Sequence, residues 1–596
     1  MLKLGDVSLV LQCMKRWRIV IGRDPHHAPA GSVIIFPVIR ATLCCGLAGI
    51  LAIKAHREER TDGSINSLFE EIRKNNLKAL LAGSIAPQEY LGGSERLHSL
   101  EDLVLDLKKG PVGLFSNNGS SDLISLSKGM SSFLSGEDIL IEEAAAGFST
   151  GEMELINESL EALKDAAWAL EKDILANVEK TTLLAGPRYK ALSEEGLGIY
   201  WRVNLLLNAL DRIEIRGRDS AGIEISFCPE NRASLDTIIE TLKADGLYDD
   251  FLKRTAPGDL LNGSITLSGL SSEADPLLTF TYKRASVTGT LGENTRYLRD
   301  RIQSDDILRT CIGGGTGHET LLAHTRWASV GAINVENCHP VNNFTLATGV
   351  YSSSGIPLPV KEYPRYGSGN WAIHVALNGD IDNYRSLRAS IEADGTELID
   401  HRMTTDTKII ALQVEKYLNQ ENDLQESFRL ALNDFEGSHA IAMQSNLEPG
   451  KVFLALRGSG QSLYIGLCDN QYMFSSEVYG LVEVTPRFIK MDGEDERIPG
   501  RPETKGQIYV LEDSGGIHAS CYDGHPCEIG DEKIQKAQIT TRDIDRKGYP
   551  HFLLKEVADA PLSVKKTLRG KYRIEYRTNG SANVTFNLGD NIKIFS

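Results

Sequence analysis

Apolar residues recur at intervals of three and four along residues 58–200, and this spacing predicts a long, mostly helical segment. The pattern is clearest in one stripe that has Glu, Lys and Asp opposite it. The stripe consists of Ile156, Leu160, Leu163, Ala167, Leu170 and Ile174. The Ser-rich stretch 116–133 interrupts the helical pattern, and its composition predicts a loop.

Short apolar runs replace the helical spacing elsewhere in the chain. Residues 45–53, CGLAGILAI, predict a short buried strand, and residues 201–330 predict strands and loops around RGRDSAG. Residues 321–530 alternate β-rich runs with Gly, Asn and Pro turns, and one helix is predicted to begin near Asp406. This alternation is typical of a domain in which sheets and helices form layers.

Composition and charge narrow the class of protein. The chain has 596 residues, which predicts two to four domains, and 41% hydrophobic and 24% charged residues are ordinary for a soluble globular protein. Its net charge of -17 disfavours nucleic acid as a partner. The nine cysteines have no regular spacing. Cys521 and Cys527 flank His525 without forming a zinc or CxxC motif, so we interpret the cysteines as reduced thiols of a cytoplasmic protein.

The apolar stretch 33–53 is long enough to span a bilayer. Pro37 and Arg40 lie in its first half, and Gly46 and Gly49 interrupt its second half. Because a charge within a membrane helix is costly, we expect two buried strand-like runs on either side of the cysteine pair, with a span or signal sequence as the minor alternative.

Four further segments place polar groups beside strand-like or helix-starting runs, where a site can be built on rigid elements. They are DRIEIRGRDSAGIEI (211–225), LAHTRWASVG (322–331) with NCHP after it (337–340), VALNGDIDNY (375–384) and MTTDTKIIA (403–411). Together with the cysteine of 45–53, these segments supply what hydrolysis of the glutamine side-chain amide needs.

A carboxamide is a poor electrophile, so its hydrolysis needs a strong nucleophile and a base. Alone, Cys45 would be interpreted as a small buried hydrophobe. As the first residue of a mature chain, its α-amine would be that base, since an α-amino group titrates at about 7.7–8.0. Trp327 could cover the pocket and exclude water.

The remaining polar groups match the other demands of the reaction. The Asn378 side chain and the Gly379 backbone N–H are suitable donors to an oxyanion. Arg326 can pair with the α-carboxylate of glutamine in a bidentate fork. Asp406 can accept from the α-ammonium, and Ser329 can add a hydroxyl contact.

These motifs, in this order, resemble the class II (N-terminal nucleophile) glutamine amidotransferase domain. HTRW and RGRDSAG are nearest to the glutamine–fructose-6-phosphate aminotransferase branch. Two later segments, 454–478 and 548–570, are similar to that branch's late strands and to its link to the isomerase domains. The resemblance covers about half of the chain and implies an α/β fold, a four-layer α/β/β/α sandwich of the Ntn-hydrolase type, with neither metal nor organic cofactor.

The resemblance also implies residue roles. Its nucleophile, glutamine contacts and oxyanion hole correspond to Cys45, Arg326, Trp327, Ser329, Asn378, Gly379 and Asp406. Arg216 is also expected to bind substrate, and it corresponds to a residue beside the nucleophile strand. Three candidates are set aside: GGGTG (313–317) as a turn before the HTRW strand, His339 as a packing residue, and Asp382–Tyr384 as support for the turn after the oxyanion hole.

This chain departs from the family pattern in four ways. Residues 1–44 precede Cys45, so this leader is removed, or the true start lies downstream, or the domain is inactive. Val330 and Leu377 stand where the family has histidines. A helical insertion (58–200) and a shorter, more β-like insertion (about 228–308) separate the motifs of the glutaminase domain, which comprises 45–57 and 201–530.

Residues 531–596 are expected to form a linker towards sugar isomerase domains that are missing from the sequence. The expected substrate is L-glutamine, and fructose 6-phosphate would enter only through such a domain or a partner chain. A fragment, a truncated product and one subunit of a split enzyme all remain open, and a homo-oligomer is compatible with the sequence. The alternative function is an inactive regulatory or scaffold module, or another class II amidotransferase.

Overall fold

The structure is a computed structural model, and it describes most of the chain after the expected leader. The described residues are 45–54, 63–109, 112–115, 117–255, 264–268, 276–286, 289–313, 316–344, 371–393, 399–494, 496–568, 572–576 and 582–586. The predicted leader and the first strand-like run, 33–43, lie outside them.

Two stacked β-sheets and one hairpin contain the strands of the described residues. The strands are β1 Gly46–Ala52, β2 Ser220–Pro229, β3 Ser264–Ser268, β4 Leu277–Ala285, β5 Thr316–Arg326, β6 Val341–Asn342, β7 Ile373–Gly379, β8 His439–Ser445, β9 Lys451–Arg457, β10 Tyr464–Leu467, β11 Gln471–Ser475, β12 Arg487–Lys490, β13 Gln507–Glu512, β14 Ile517–Cys521, β15 Pro526–Cys527, β16 Ile534–Lys536, β17 Tyr572–Tyr576 and β18 Ala582–Phe586. The first sheet has the order β16-β12-β10-β11-β1-β5-β2-β4-β3, and the second has the order β15-β14-β13-β9-β8-β7-β6. Strands β17 and β18 form the separate hairpin.

The helices occupy the outer layers and a separate helical region. They are α1 Gly63–Lys74, α2 Leu77–Leu81, α3 Gly93–Lys109, α4 Asn117–Ala144, α5 Thr150–Trp168, α6 Ala176–Ala185, α7 Glu194–Ile213, α8 Arg232–Ala244, α9 Tyr248–Thr255, α10 Glu293–Gln303, α11 Asp306–Ile312, α12 Tyr384–Ala393, α13 Thr407–Leu418, α14 Leu424–Asn433, α15 Thr541–Ile544 and α16 Phe552–Leu568. A π-helical segment, Ala169–Leu175, joins α5 to α6. No helix among the described residues is both long and apolar enough to cross a bilayer.

Three apolar cores confirm the four-layer α/β/β/α sandwich. Between the sheets, Leu47 of β1 and Phe474 of β11 share a core with Leu454 of β9. On the outer face of the first sheet, the strands pack against α7 and neighbouring helices. On the outer face of the second sheet, they pack against α13 and α14. The order of layers is therefore helix, sheet, sheet, helix.

The helical region has a core of its own, and the predicted stripe lies in it. All six stripe positions are buried, on α5 and the π-helical segment. The predicted loop at 116–133 is wrong, because α4 runs through it. Its buried positions Leu123, Leu126 and Met130 follow helical spacing. The Ser125 hydroxyl faces solvent and donates to the Ser121 carbonyl one turn back.

Two expectations about the middle of the chain need correction. The boundary expected at residue 201 falls inside α7, whose apolar side packs on the first sheet. The insertion 228–308, expected to be β-like, contains four helices, α8 to α11, besides β3 and β4. Strands β3 and β4 extend the first sheet beyond β2. Apolar runs in this insertion did not distinguish a strand from a short buried helix.

A buried polar cluster joins the helical region to the sandwich, and we call it the junction cluster. Its members are Asn177 of α6, Asn204, Asn208 and Arg212 of α7, Arg299 of α10, and Glu483, which follows β11. The Glu483 carboxylate accepts from Asn177 at 2.7 Å and from Arg212 at 2.7 Å. Although burial alone would raise the pKa of Glu483, the adjacent Arg212 holds that pKa below its usual range.

Candidate active site

Cys45 lies at the start of β1, in the centre of the first sheet, where strand ends from both sheets meet. Strand β1 is antiparallel to β5, with Gly46 opposite Thr325, so Cys45 comes beside Arg326 at the end of β5. The start of β2 reaches the same edge, because Ser220 is opposite Arg326. In the second sheet, β7 contacts β1 and β5. Segments far apart in sequence are thereby brought to one end of the sandwich.

The Cys45 sulfur is held by the backbone of the next segment. The Trp327 N–H donates to Cys45 Sγ at 3.3 Å, and the thiol donates to the Trp327 carbonyl at 3.5 Å. The side chain is buried, with 8% exposed. A backbone N–H directed at sulfur stabilises the negative charge of a thiolate, which is the nucleophilic form.

The RGRDSAG segment shapes the loop that follows β5. A Cβ at Gly217 would lie 2.4 Å from the Arg326 carbonyl carbon, so this position admits only glycine. Asp219 accepts from the Ala328 N–H at 3.0 Å through its side chain. The motif therefore fixes the backbone around Trp327, which explains why these small and acidic residues occur at the start of β2.

Arg326 is buried and makes hydrogen bonds within its own loop. Its guanidinium donates to the Ala332 carbonyl at 3.0 Å and to the Val330 carbonyl. Burial lowers the pKa of Arg326, although the negative groups Cys45 and Asp406 oppose that effect. A guanidinium has five N–H donors, so donors remain for a ligand carboxylate after these two bonds.

Asn378 and Gly379 end β7 in the geometry of a tight turn. Gly379 has a φ of 103°, and a Cβ there would lie 2.1 Å from the Ser438 carbonyl oxygen. Glycine is therefore required. The Asn378 side chain is buried, and its Nδ2 has no hydrogen-bond partner among the described residues. A buried amide donor without a partner is rare, and such a donor is available to a ligand.

His324, which our sequence analysis did not select, orients the Asn378 amide. Burial, and next the charge of Arg326, lower the pKa of His324 to about 3, so its ring is neutral. The His324 Nε2 lies 3.0 Å from Asn378 Oδ1. Because Asn378 Oδ1 can only accept, the proton of the His324 ring is on Nε2. This bond orients the amide so that Asn378 Nδ2 is not directed at His324. Alternation along β5 could have suggested His324, since it shares a face with Arg326.

Asp406 precedes α13, as predicted for a helix beginning near it, and its carboxylate is buried. Its Oδ2 accepts from the Ile381 N–H at 2.9 Å. Ile381 comes just after the turn at the predicted oxyanion donors Asn378 and Gly379, which we call the oxyanion turn. Burial, with a smaller contribution from the nearby Asp380 charge, raises the pKa of Asp406 to about 6. A cationic ligand group would favour the ionised form, since opposite charges lower the pKa of a carboxyl.

Ser329 and Trp327 lie on the exposed side of the site. The Ser329 hydroxyl donates to Asp380 Oδ1 at 2.6 Å, which links the loop after β5 to the oxyanion turn. The Trp327 side chain is 37% exposed. At this exposure its ring does not fill the core.

The Arg216 side chain extends to the segment that follows β11. Its guanidinium forms an ion pair with Glu477, which follows β11. Strand β11 is the other neighbour of β1, and the Ser476 side chain accepts from the Leu47 N–H at 3.1 Å. Arg216 thus braces the nucleophile strand in this structure, rather than joining the cluster around Arg326.

The two histidine replacements have different surroundings. Leu377 is buried in the core between the second sheet and its helices, on the face of β7 opposite Asn378, so this change does not reach the site. Val330 lies in the loop whose carbonyls bind Arg326. His339 packs its ring 4.4 Å from that of His324 and forms a hydrogen bond with the Thr407 hydroxyl at 2.7 Å, consistent with a packing residue next to the site.

Asn337 is a second residue that sequence reasoning missed. Its Oδ1 accepts from the Thr404 and Thr405 N–H groups at 2.8 and 2.9 Å, and its Nδ2 donates to the Ala332 carbonyl at 3.2 Å. It therefore joins the loop after β5 to the segment before Asp406. The described residues contain no group of three His, Cys, Asp or Glu side chains suited to a metal ion.

Comparison with known proteins identifies the class. Residues 363–483, which include Asn378, Gly379 and Asp406, match a family model described as a glutamine amidotransferase domain. The chain therefore contains a glutamine amidotransferase domain, on the four-layer sandwich described above.

Curated relatives specify the similarity further. The chain is similar to proteins named glutamine–fructose-6-phosphate aminotransferase (isomerizing). It is 28% identical over 247 residues to that of Methanothermobacter thermautotrophicus, covering 41% of this chain and 34% of the relative. It is 29% identical over 247 residues to that of Sulfurisphaera tokodaii, with the same shares covered. The chain spans about a third of the length of these relatives.

One solved structure with partial similarity is a glutamine phosphoribosylpyrophosphate amidotransferase from B. subtilis. It is 14% identical, with a TM-score of 0.30, and the match covers 54% of this chain and 47% of that chain.

Proposed function

We propose that the chain hydrolyses L-glutamine to glutamate and ammonia, with Cys45 as the nucleophile. The observation that carries the proposal is that Cys45 with its Trp327 N–H, Arg326, and an Asn378 Nδ2 without a partner among the described residues lie at the same end of the stacked sheets. In this sequence the Cys45 nitrogen is joined to Cys44. Catalysis by a free α-amine therefore requires hydrolysis of the bond between them.

The reaction then follows from the chemistry of these groups. The α-amine of Cys45 takes the thiol proton, and Sγ attacks the carbon of the side-chain amide. Asn378 Nδ2 and the Gly379 N–H stabilise the oxyanion of the tetrahedral intermediate. The amine returns the proton to the leaving nitrogen, ammonia departs, and water hydrolyses the glutamyl thioester.

The other groups recognise the free amino acid end of glutamine. Arg326 binds its α-carboxylate, and the Asp406 carboxylate accepts from its α-ammonium. Ser329 and Trp327 close the exposed side. Only a substrate with both charged groups would satisfy Arg326 and Asp406 together, which favours free glutamine over a peptide amide.

We further propose that the ammonia is used in synthesis of glucosamine 6-phosphate, which the resemblance to the glutamine–fructose-6-phosphate aminotransferase branch implies, and the chain is similar to proteins of that name. In those proteins fructose 6-phosphate is the named co-substrate. Here that step would require sugar-binding domains or a partner chain beyond the matched third of the relatives' length. The exposed apolar residues Leu553, Val557 and Val564 on α16 are suited to contact such a domain.

An inactive scaffold module is the competing function, motivated by the leader and by Val330 in the site loop. Intact mass and N-terminal sequencing, before and after a glutamine-analogue electrophile, separate the two functions. A chain that begins at Cys45 and takes one label there supports the enzyme. A Cys45→Ala variant should take none, whereas Cys468→Ala, at a part-buried thiol remote from the site, should label fully. A chain that begins at Met1 and stays unlabelled establishes the scaffold.

A further inference from the structure

The segment CYDGHPC, residues 521–527, folds into a tight turn at the edge of the second sheet. Strand β14 ends at Cys521 and β15 ends at Cys527. The Cys521 N–H donates to the His525 carbonyl at 2.8 Å, and the Gly524 N–H donates to the Cys521 carbonyl at 2.9 Å. The Asp523 side chain accepts from the His525 N–H at 3.2 Å. These bonds hold the two cysteines on adjacent strands in a fixed relation.

The two sulfur atoms face each other at a short distance. Cys521 Sγ and Cys527 Sγ are 2.9 Å apart, although no disulfide joins them. Cys521 is buried, whereas Cys527 is partly exposed. Other described cysteines, such as Cys311 and Cys468, lie elsewhere in the fold with different neighbours. The sequence alone predicts unrelated thiols here, because the five-residue gap matches no common motif, and the structure corrects this prediction.

The surroundings give the two thiols different reactivity. Burial raises the pKa of the Cys521 thiol to about 12, and the neighbouring Cys527 adds to that effect. The Arg497 guanidinium near the pair is held by Asp523. Cys527 is partly exposed and so accessible to a reagent, whereas Cys521 is buried, so Cys527 is the sulfur that reacts first.

We propose that Cys521 and Cys527 are a site of reversible oxidation, which forms an intramolecular disulfide by exchange with a low-molecular-weight disulfide of the glutathione class. The Cys527 thiolate attacks one sulfur of the small disulfide and releases one thiolate, which gives a mixed disulfide. Cys521 then loses its proton and attacks the Cys527 sulfur, which expels the second small thiol. One small disulfide is reduced to two thiols, and the protein dithiol loses two hydrogens.

The cross-link would fasten β15 to β14 at the sheet edge. Strand β15 has only two residues and is the last strand of the second sheet, so backbone pairing alone holds it weakly. A disulfide there would raise the resistance of residues 521–527 to local opening, which hydrogen exchange measures. This effect is independent of the proposed glutaminase activity.

The test incubates the full chain with oxidised glutathione and then with dithiothreitol. Residues 506–533 form a single tryptic peptide, because no Lys or Arg lies between Lys505 and Lys533. We expect that peptide to lose two hydrogen masses on oxidation, to become resistant to alkylation at both cysteines, and to recover on reduction. This measurement needs no variant, so a folding defect cannot obscure it.

Two variants assign the order of attack, and one serves as a control. Cys521→Ser should accumulate glutathione on Cys527, because the resolving thiol is gone. Cys527→Ser should leave Cys521 reduced, and Cys468→Ser should behave as the native chain. A native chain in which glutathione stays on Cys527 unresolved, or in which both thiols stay reduced and open to alkylation, overturns the proposal.

Discussion

The active-site end and the junction cluster are both buried and polar, but they differ in how their polar atoms are paired. In the junction cluster, Asn177, Asn208 and Glu483 bond to one another and to Arg212. At the active-site end, Asn378 Nδ2 has no partner among the described residues. The polar groups of the junction cluster stabilise the contact between the helical region and the sandwich. At the candidate site, a buried donor is held in position without a partner, which lowers the stability of the fold.

The largest expected effect is on the stability of the junction. Replacing Glu483 by Ala leaves the part-buried Arg212 without its carboxylate and removes one acceptor each of Asn177 and Asn208. Breaking a buried ion pair of this kind costs roughly 3–5 kcal/mol of the free energy of unfolding. We expect denaturant titration to show that loss, with glutaminase activity per folded molecule unchanged.

The control for that variant is Glu448→Ala. Glu448 pairs with Lys451 at 2.6 Å but near the surface, so its loss should cost less than about 1 kcal/mol. If Glu483→Ala is no more destabilising than Glu448→Ala, the junction cluster does not hold the layers together, and the contrast with the site disappears.

Asn378→Ala should lower kcat strongly and the free energy of unfolding less than Glu483→Ala does. Removing one oxyanion donor lowers kcat about 10²–10³-fold, equivalent to roughly 2.7–4 kcal/mol of transition-state stabilisation. Its Nδ2 has no partner among the described residues, and the variant also removes Oδ1, the acceptor of the His324 ring, so the free energy of unfolding should fall by about 1–3 kcal/mol, less than in Glu483→Ala. Steady-state kinetics with denaturant titration on one preparation test both parts.

His324→Phe provides a matched variant for Asn378, because it keeps a ring but removes the donor to Asn378 Oδ1. It should lower kcat with little change in KM, since His324 positions Asn378 and makes none of the proposed contacts to the amino acid end of glutamine. A change in KM alone would mean that His324 acts on substrate binding instead.

The sequence identified segments that the structure brings to the Cys45 end of the sandwich, but not the contacts that orient their side chains. At Gly379, a φ of 103° and a close carbonyl require glycine, a reason that the motif alone did not supply. The orientation of the Asn378 amide was beyond the sequence, because it depends on His324, which belongs to the other sheet. Composition also failed at 116–133, where apolar spacing outweighed serine content.

The contact between Cys521 and Cys527 is another feature that the sequence alone did not predict. Spacing alone gave Cys521 and Cys527 no role, because no standard motif has a five-residue gap. The tight turn, which depends on the backbone hydrogen bonds of Cys521 and Gly524, brings the two sulfurs together. Contacts made by turn geometry are harder to infer from sequence than contacts made by strand alternation.

The pH dependence of substrate binding should depend on the charge of Asp406 at the site, and not on the junction cluster. The pKa of Asp406 is raised to about 6, so its carboxylate forms as the pH rises through that value. If Asp406 binds the α-ammonium, KM for glutamine should be constant above about pH 6 and rise about tenfold per unit below it. Asp406→Asn should abolish this dependence and raise KM throughout.

The free energy of unfolding should rise as the pH falls through about 6, whereas substrate binding weakens. A carboxyl whose pKa is higher in the folded state than in the unfolded state destabilises the fold when it is ionised. For Asp406 this destabilisation is complete above about pH 6. It is relieved as the pH falls from 6 towards the pKa of the unfolded state. Asp406→Asn keeps an acceptor for the Ile381 N–H and should increase stability at neutral pH. A variant that loses stability there would show that the Asp406 charge is compensated in the fold.

The smallest expected effect concerns Ser329, whose hydroxyl joins the loop after β5 to the oxyanion turn through Asp380. One hydrogen bond at an exposed position contributes about 1 kcal/mol, so Ser329→Ala should raise KM for glutamine about fivefold. Ser329→Thr, which keeps the hydroxyl, should stay close to the native value. Equal KM values for the Ala and Thr variants would mean that the loop after β5 is positioned by Arg326 and Asn337 without Ser329.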